Sequence, residues 1–432
     1  MGWPSDARKG RKVHRGKTLL THASGASTSN DPSAVSKKWV VSFVATLCAM
    51  MAIEMSSLGF APAIPLIQQA FKMSYSQVGL FTGLYGILAL VLSIPAGLTA
   101  KRFGEKAVMV AGIAIVALGL VVLSRAGDFD GALVGRIVWI TGYRFAFVCI
   151  LTALAVTCPP SLRGRTMGIL GAVTSLATAA GAPFVGSIAQ ALGWRNGILG
   201  FAVAAVVGAT IVAIFYSGQS SGSPGNVNRS AENHIKNSGS AFRTPRVWAL
   251  ALLLGLVGLP SFSVTFFVPS AAESNFGIST VSSSLIISSG YLAAIFVNLA
   301  VGYLMDRFNK WRVMGVLMIT MIAASLGMTA HNLPLFRICA AVLLAVGFAA
   351  INQGYGLAAD VLRGRESGNV MGVVGLGAGV FGYVGPQALG SLRDWTGGFS
   401  TGWYVIAGIC LASVVELYVL KGHIQNELAR SI

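Results

Sequence analysis

Apolar residues in this chain come in long, nearly unbroken runs, not in the alternation of a half-buried strand or the narrow stripe of a surface helix. Twelve such runs lie near 39–64, 76–99, 106–124, 131–157, 165–191 and 196–217, then 246–271, 280–304, 311–330, 334–360, 366–391 and 399–421. Crossing a hydrocarbon layer about 30 Å thick takes roughly 20 helical residues, and every run meets that length. Lipid offers the backbone no hydrogen-bond partners, so a spanning segment must satisfy its N–H and C=O groups internally, as a helix does. The pattern therefore predicts an all-α polytopic membrane protein with about twelve transmembrane helices.

The runs fall into two sets of six. Residues 1–37 are basic and rich in Ser, Gly and Thr, and read as a disordered cytoplasmic tail with no signal-like apolar core. A polar stretch at 218–244 separates a first half, 38–217, from a second, 245–421, and leaves 422–432 as a short tail. Leu162-Arg163-Gly164-Arg165 recurs as Leu362-Arg363-Gly364-Arg365, each before the fifth run of its half. The segment from Gly97 to Lys106 likewise aligns with that from Gly302 to Trp311, each joining a second run to a third. Two parallel six-helix repeats follow.

Both of those loops resemble the Gly-x-x-x-Asp-Arg-x-Gly-x-Lys/Arg signature of the major facilitator superfamily, through Gly97, Arg102 and Gly104 in one and Gly302, Asp306 and Arg307 in the other. Arg136 resembles that superfamily's fourth-helix arginine, although Ile140 stands where its glycine is usual. Gly181-Ala182-Pro183 with Gly186, and Gly385-Pro386 with Gly390, add a glycine-proline pattern at matching places. The resemblance covers 38–421 and implies a transporter fold with conformational latches at the two loops. Asp306 is suited to a helix N-terminus, with Arg163 or Arg165 beside it. In the first half Lys101 replaces the carboxylate and would repel Arg365, unless Glu105 compensates, and Arg363 stands beside it as a further latch residue.

Charge changes the picture less than its size suggests. A net charge of +17 invites a nucleic-acid partner, but the 31 Lys and Arg sit mainly in alternate connections, with only Lys72, Arg125, Arg195 and Arg393 in the others. This positive-inside distribution predicts cytoplasmic termini in a plasma (inner) membrane and no nucleic acid as partner. The five cysteines show no metal-ligand spacing. Gly377, Gly379 and Gly382 spell a dinucleotide fingerprint without the preceding strand, and read as helix packing. No cofactor is expected, and no nucleophile–base pair suggests an enzyme.

The candidate chemistry lies in ionisable groups placed where insertion costs about 2.5–3.5 kcal/mol each. Glu54 in the first run and Arg144 in the fourth are too deep to snorkel. Glu54 reads as a proton-coupling carboxylate that trades its proton against an approaching guanidinium. Arg144 reads as the holder of an anionic substrate, because its fork of donors matches a carboxylate and it keeps its charge. A fixed, inert pair of Glu54 with Arg136 or Arg144 is the competing reading. Arg136 sits nearer the depth expected of Glu54; the resemblance implies a part in coupling, and an outer anchor is the alternative. Tyr143 beside Arg144, Tyr85 and Tyr291 at matching repeat positions, and Ser261 and Ser263 after Pro260 complete the expected substrate lining. Packing is the competing role for the tyrosines and serines. The expected function is proton-coupled movement of a small carboxylate-type organic anion; drug export and a transporter-like receptor are the alternatives.

Overall fold

The computed structural model describes residues 37–157, 163–217, 245–362 and 367–430. Among them there are only helices, and twelve are long and apolar enough to cross a membrane. The first span is compound: α1 (Lys37–Ser57), a 3-10 turn at Ala61–Ala63, and α2 (Ile64–Phe71). Pro62 and Pro65 deny the backbone its helical donors there, which breaks the helix without ending the span. The next five spans are α3 (Tyr75–Phe103), α4 (Glu105–Arg125), α5 (Phe129–Thr157), α6 (Arg163–Leu192) and α7 (Trp194–Phe215). The last six are α8 (Pro245–Phe276), α9 (Thr280–Arg307), α10 (Lys310–Gly327), α11 (Leu333–Val361), α12 (Ser367–Thr396) and α13 (Ser400–Arg430).

Connections are tight where the chain turns at once. Gly104 and Gly193, at φ +86° and +87°, each join two helices as a single residue, a conformation that an L side chain rarely adopts. At the equivalent of Gly104, Asn309 keeps φ at −64° and instead caps α10 by accepting from the N–H groups of Trp311 and Arg312. The missing signature glycine is thus replaced by a cap. The boundaries also extend past the apolar runs. The first span reaches Phe71, not 64, and α13 continues to Arg430, past the end at 421 that hydropathy alone gives.

Helices before residue 218 pack mainly on one another, as do those after 244, and the two groups meet along two seams, α3 with α12 and α6 with α9. Each seam is closed at the end of the bundle away from the termini. There Gly79 lies on Pro386, Gly83 on Tyr383 and Gly86 on Gly379, so closely that an added Cβ would sit 2.4–2.8 Å from backbone oxygen. Beyond them, toward the face where the chain enters and leaves, Ile94 and Leu98 of α3 and Phe296 and Leu299 of α9 are exposed. The bundle is shut at the far end by these glycine contacts between the two groups.

Candidate functional site

Glycines fix how α5 presents its side chains. Gly135 and Gly142 lie seven residues apart on the face against α4, where a Cβ on Gly142 would come within 2.5 Å of the Gly112 oxygen and one on Gly135 within 2.6 Å of the Leu123 nitrogen. Each residue turns a helix by about 100°, so Arg136 and Tyr143 stand beside that seam while Arg144 faces away from it. At the centre, the Tyr143 hydroxyl donates to Glu54 Oε1, and the Tyr85 hydroxyl donates to Tyr143 over 3.1 Å. The guanidinium carbon of Arg144 lies 4.5 Å from the Tyr85 ring centre, 5.5 Å from that of Tyr143 and 5.9 Å from that of Phe147. Such approaches attract a cation electrostatically without neutralising it. Its Nε is buried and has no hydrogen-bond partner among the described residues.

Neither arginine forms an ion pair with Glu54, whose carboxylate meets Tyr143 instead. The direct Glu54–arginine pair weighed from the sequence is absent from this state. Nor does Arg136 share the carboxylate's depth, because α2 adds length to the far side of the first span and places Glu54 level with Tyr143. Arg136 is fully buried nearer the far end. Its Nε donates to the Phe81 carbonyl over 3.2 Å, and its guanidinium lies 4.0 Å from the Trp139 ring centre and 4.4 Å from that of Phe60. Phe60 in turn reaches Phe266 of α8 at 5.9 Å, so this cage lies under the junction of the two groups.

Helices of the second group meet the centre with rings. Phe262 of α8 lies 6.3 Å from Tyr85, and Tyr355 of α11 is within electrostatic range of Arg144. Tyr291 is buried against Phe348, with its hydroxyl 2.9 Å from Thr265 Oγ1, and lies within electrostatic range of Glu54 and Tyr85. Ser261 and Ser263 bond back to the carbonyls of Val257 and Leu259 and face the close approaches of Gly347 and Gly385. The structure therefore brings together Glu54, Tyr85, Tyr143 and Arg144, and leaves Ser261 and Ser263 in helix packing. Phe147, Phe262 and Tyr355 were not singled out from the sequence, where an aromatic residue in an apolar run carries no signal of its own.

The signature loops lie at the terminal face. Among the described residues Gly97 has nothing near its Cβ position and Gly302 only Gln353, and Asp306 is exposed. Arg102 lies over Phe103 at 5.2 Å and Arg307 over Tyr303 at 4.9 Å. Glu105 faces Tyr216 and not Lys101. An ion pair, Lys310 with Asp360, ties the start of α10 to the end of α11. The side chains of Arg163, Arg165, Arg363 and Arg365 lie outside the described residues.

Comparison with known proteins places this arrangement. The chain is 23% identical over 350 residues to a nitrite extrusion protein of Bacillus subtilis, covering 79% of this chain and 85% of that one. It is 24% identical over 374 residues to a probable sulfoacetate transporter of Cupriavidus necator, covering 81% and 86%. A solved nucleoside transporter superposes with a TM-score of 0.74 at 12% identity, over 88% of this chain and 99% of that one. A bacterial homologue of the human lysosomal transporter Spinster, inward-facing and occupied, gives 0.71 at 15%, over 92% and 98%. These likenesses establish a transporter fold of twelve spans in two six-helix repeats. The family model for the Major Facilitator Superfamily matches residues 42–354 and 261–429, and the chain belongs to that superfamily of membrane transporters.

Proposed function

We propose that this transporter carries a small organic anion of carboxylate type, coupled to protons, with Arg144 holding the cargo's charge. One observation carries the reading: a permanent cation at the centre of the bundle, ringed by aromatic faces and, among the described residues, in no salt bridge with a carboxylate. A half-buried charge in that condition is costly, and a ligand of opposite sign is the partner that relieves it. Relatives named for nitrite and sulfoacetate support an anionic cargo. Glu54 serves as the proton-carrying carboxylate, joined to the same cluster through Tyr143. In this account the halves 38–217 and 245–421 rock about the site, the linker 218–244 and both termini lie in the cytoplasm, and the protein resides in the plasma (inner) membrane.

The test is uptake of labelled small carboxylates into proteoliposomes, beside extrusion of cationic dyes. Hydrogen bonds to a charged group contribute about 1.5–3 kcal/mol, so Arg144→Ala is expected to cut carboxylate uptake by roughly 10- to 100-fold. Arg144→Lys, which keeps the charge but not the fork, retains part of it. Normal carboxylate transport by Arg144→Ala sinks the proposal. A second reading, an inorganic oxyanion as cargo, draws on relatives named as nitrite and probable nitrate transporters, and the same vesicles loaded with nitrite separate the two.

A further inference from the structure

The far end of the bundle is closed by two matched contacts of unequal strength. Ser74 caps α3 and Ser279 caps α9, each standing 23 residues before the aligned glycines Gly97 and Gly302. On the opposite side of each seam, Gln190 of α6 and Asp394 of α12 each lie four residues after the aligned Gly186 and Gly390. The Asp394 carboxylate accepts from the backbone N–H of Tyr75 at 2.9 Å and of Ser76 at 2.7 Å. The Gln190 carbonyl accepts from the N–H of Val281 at 3.3 Å. Each repeat thus ends its fifth span on the opening turn of the other repeat's second span.

The chemistry of the two differs in kind. The first N–H groups of a helix lack intrahelical partners and carry the positive end of its dipole, so a carboxylate there is held by charge and by two bonds, an amide by one. Beside Asp394, the Arg393 guanidinium lies 4.8 Å from the Tyr75 ring centre, while Ala189 stands at the corresponding place on the other seam. Gln387 also donates to Ser76 Oγ at 3.1 Å, and Ser76 and Ser391 hydroxyls lie 3.0 Å apart. Every one of these bonds crosses between the two groups, so none survives when the far end opens. They stabilise one state of the transport cycle without touching cargo.

We infer that Asp394 and Gln190 are positioning residues that hold the far mouth of this transporter shut, with Asp394 the dominant clasp. The inference does not depend on what is carried or on the role of Arg144.

Spin labels on Asp130→Cys and His331→Cys, exposed at the far ends of α5 and between α10 and α11, report the separation of the two groups by pulsed electron resonance. The measurement uses the full chain in lipid nanodiscs with the native cysteines replaced. Asp394→Asn is expected to raise the far-open population severalfold, Asp394→Ala further, and Gln190→Ala less than either. Asp394→Glu restores the parent distribution, and Gln190→Glu, which adds the missing charge, lowers the far-open population and slows turnover. An Asp394→Asn protein with unchanged melting temperature and unchanged distances overturns the inference. So does a Gln190→Ala effect larger than that of Asp394→Asn.

Discussion

Tyr85, Tyr143 and Glu54 form a continuous run of hydroxyl donors ending on a carboxylate, with Arg144 lying against two of its rings. On the proposed reading, cargo beside Arg144 disturbs the same phenols that solvate Glu54, which would link cargo to proton. Glu54→Gln is expected to abolish accumulation driven by a proton gradient, while anion-for-anion exchange stays within about threefold of the parent, less than 1 kcal/mol. Tyr143→Phe should show the same split in milder form; equal loss of both activities would remove the link. Glu54, Tyr143 and Arg144 were legible as sequence because ionisable groups in apolar runs need a reason to be there. Phe147, Phe262 and Tyr355 were not, since an aromatic residue in such a run looks the same whether it packs a helix or lines a site. The depth of Glu54 was misjudged for a local cause: Pro62 and Pro65 break the helix but not the span, and α2 lengthens it.

Glycine is the currency of helix approach here. Gly377 of α12 faces Ala251 of α8, and a Cβ added to it would fall 1.8 Å from that residue's carbonyl oxygen. Overpacking of this kind costs about 1–3 kcal/mol, so Gly377→Ala is expected to lower the melting temperature in detergent, whereas Gly408→Ala, with open space around it, does not. Equal melting temperatures for the two would refute the packing role. The same geometry explains why the dinucleotide-like spelling at 377–382 has no phosphate to bind, since Gly379 and Gly382 face Leu90 and Phe262. Spans were readable as runs of apolar letters, but their ends were not. Helix continuation depends on backbone propensity and capping, whereas hydropathy registers only where lipid stops; α13 shows the difference.

Across the whole molecule, the terminal face is the one served by most of the basic connections, and the connections at the clasped end carry only Lys72, Arg125, Arg195 and Arg393. A reporter fused after Arg430 is expected to behave as cytoplasmic: a fluorescent protein there glows, and alkaline phosphatase there is inactive. The reverse result would invert the orientation drawn from charge. The two six-helix repeats could be read from recurring loop motifs, but the closure of the far end could not, because one sequence must satisfy both states of the cycle and its pattern favours neither. The ionisable groups Glu54, Arg136 and Arg144 all hang from spans before residue 218, and the later spans answer them with Phe262, Phe266 and Tyr355. On the proposed reading, the sign of the cargo is written in one stretch of the gene and its bulk in another. A lineage can then drift toward larger or smaller solutes after residue 245 without renegotiating the electrical character of what it carries.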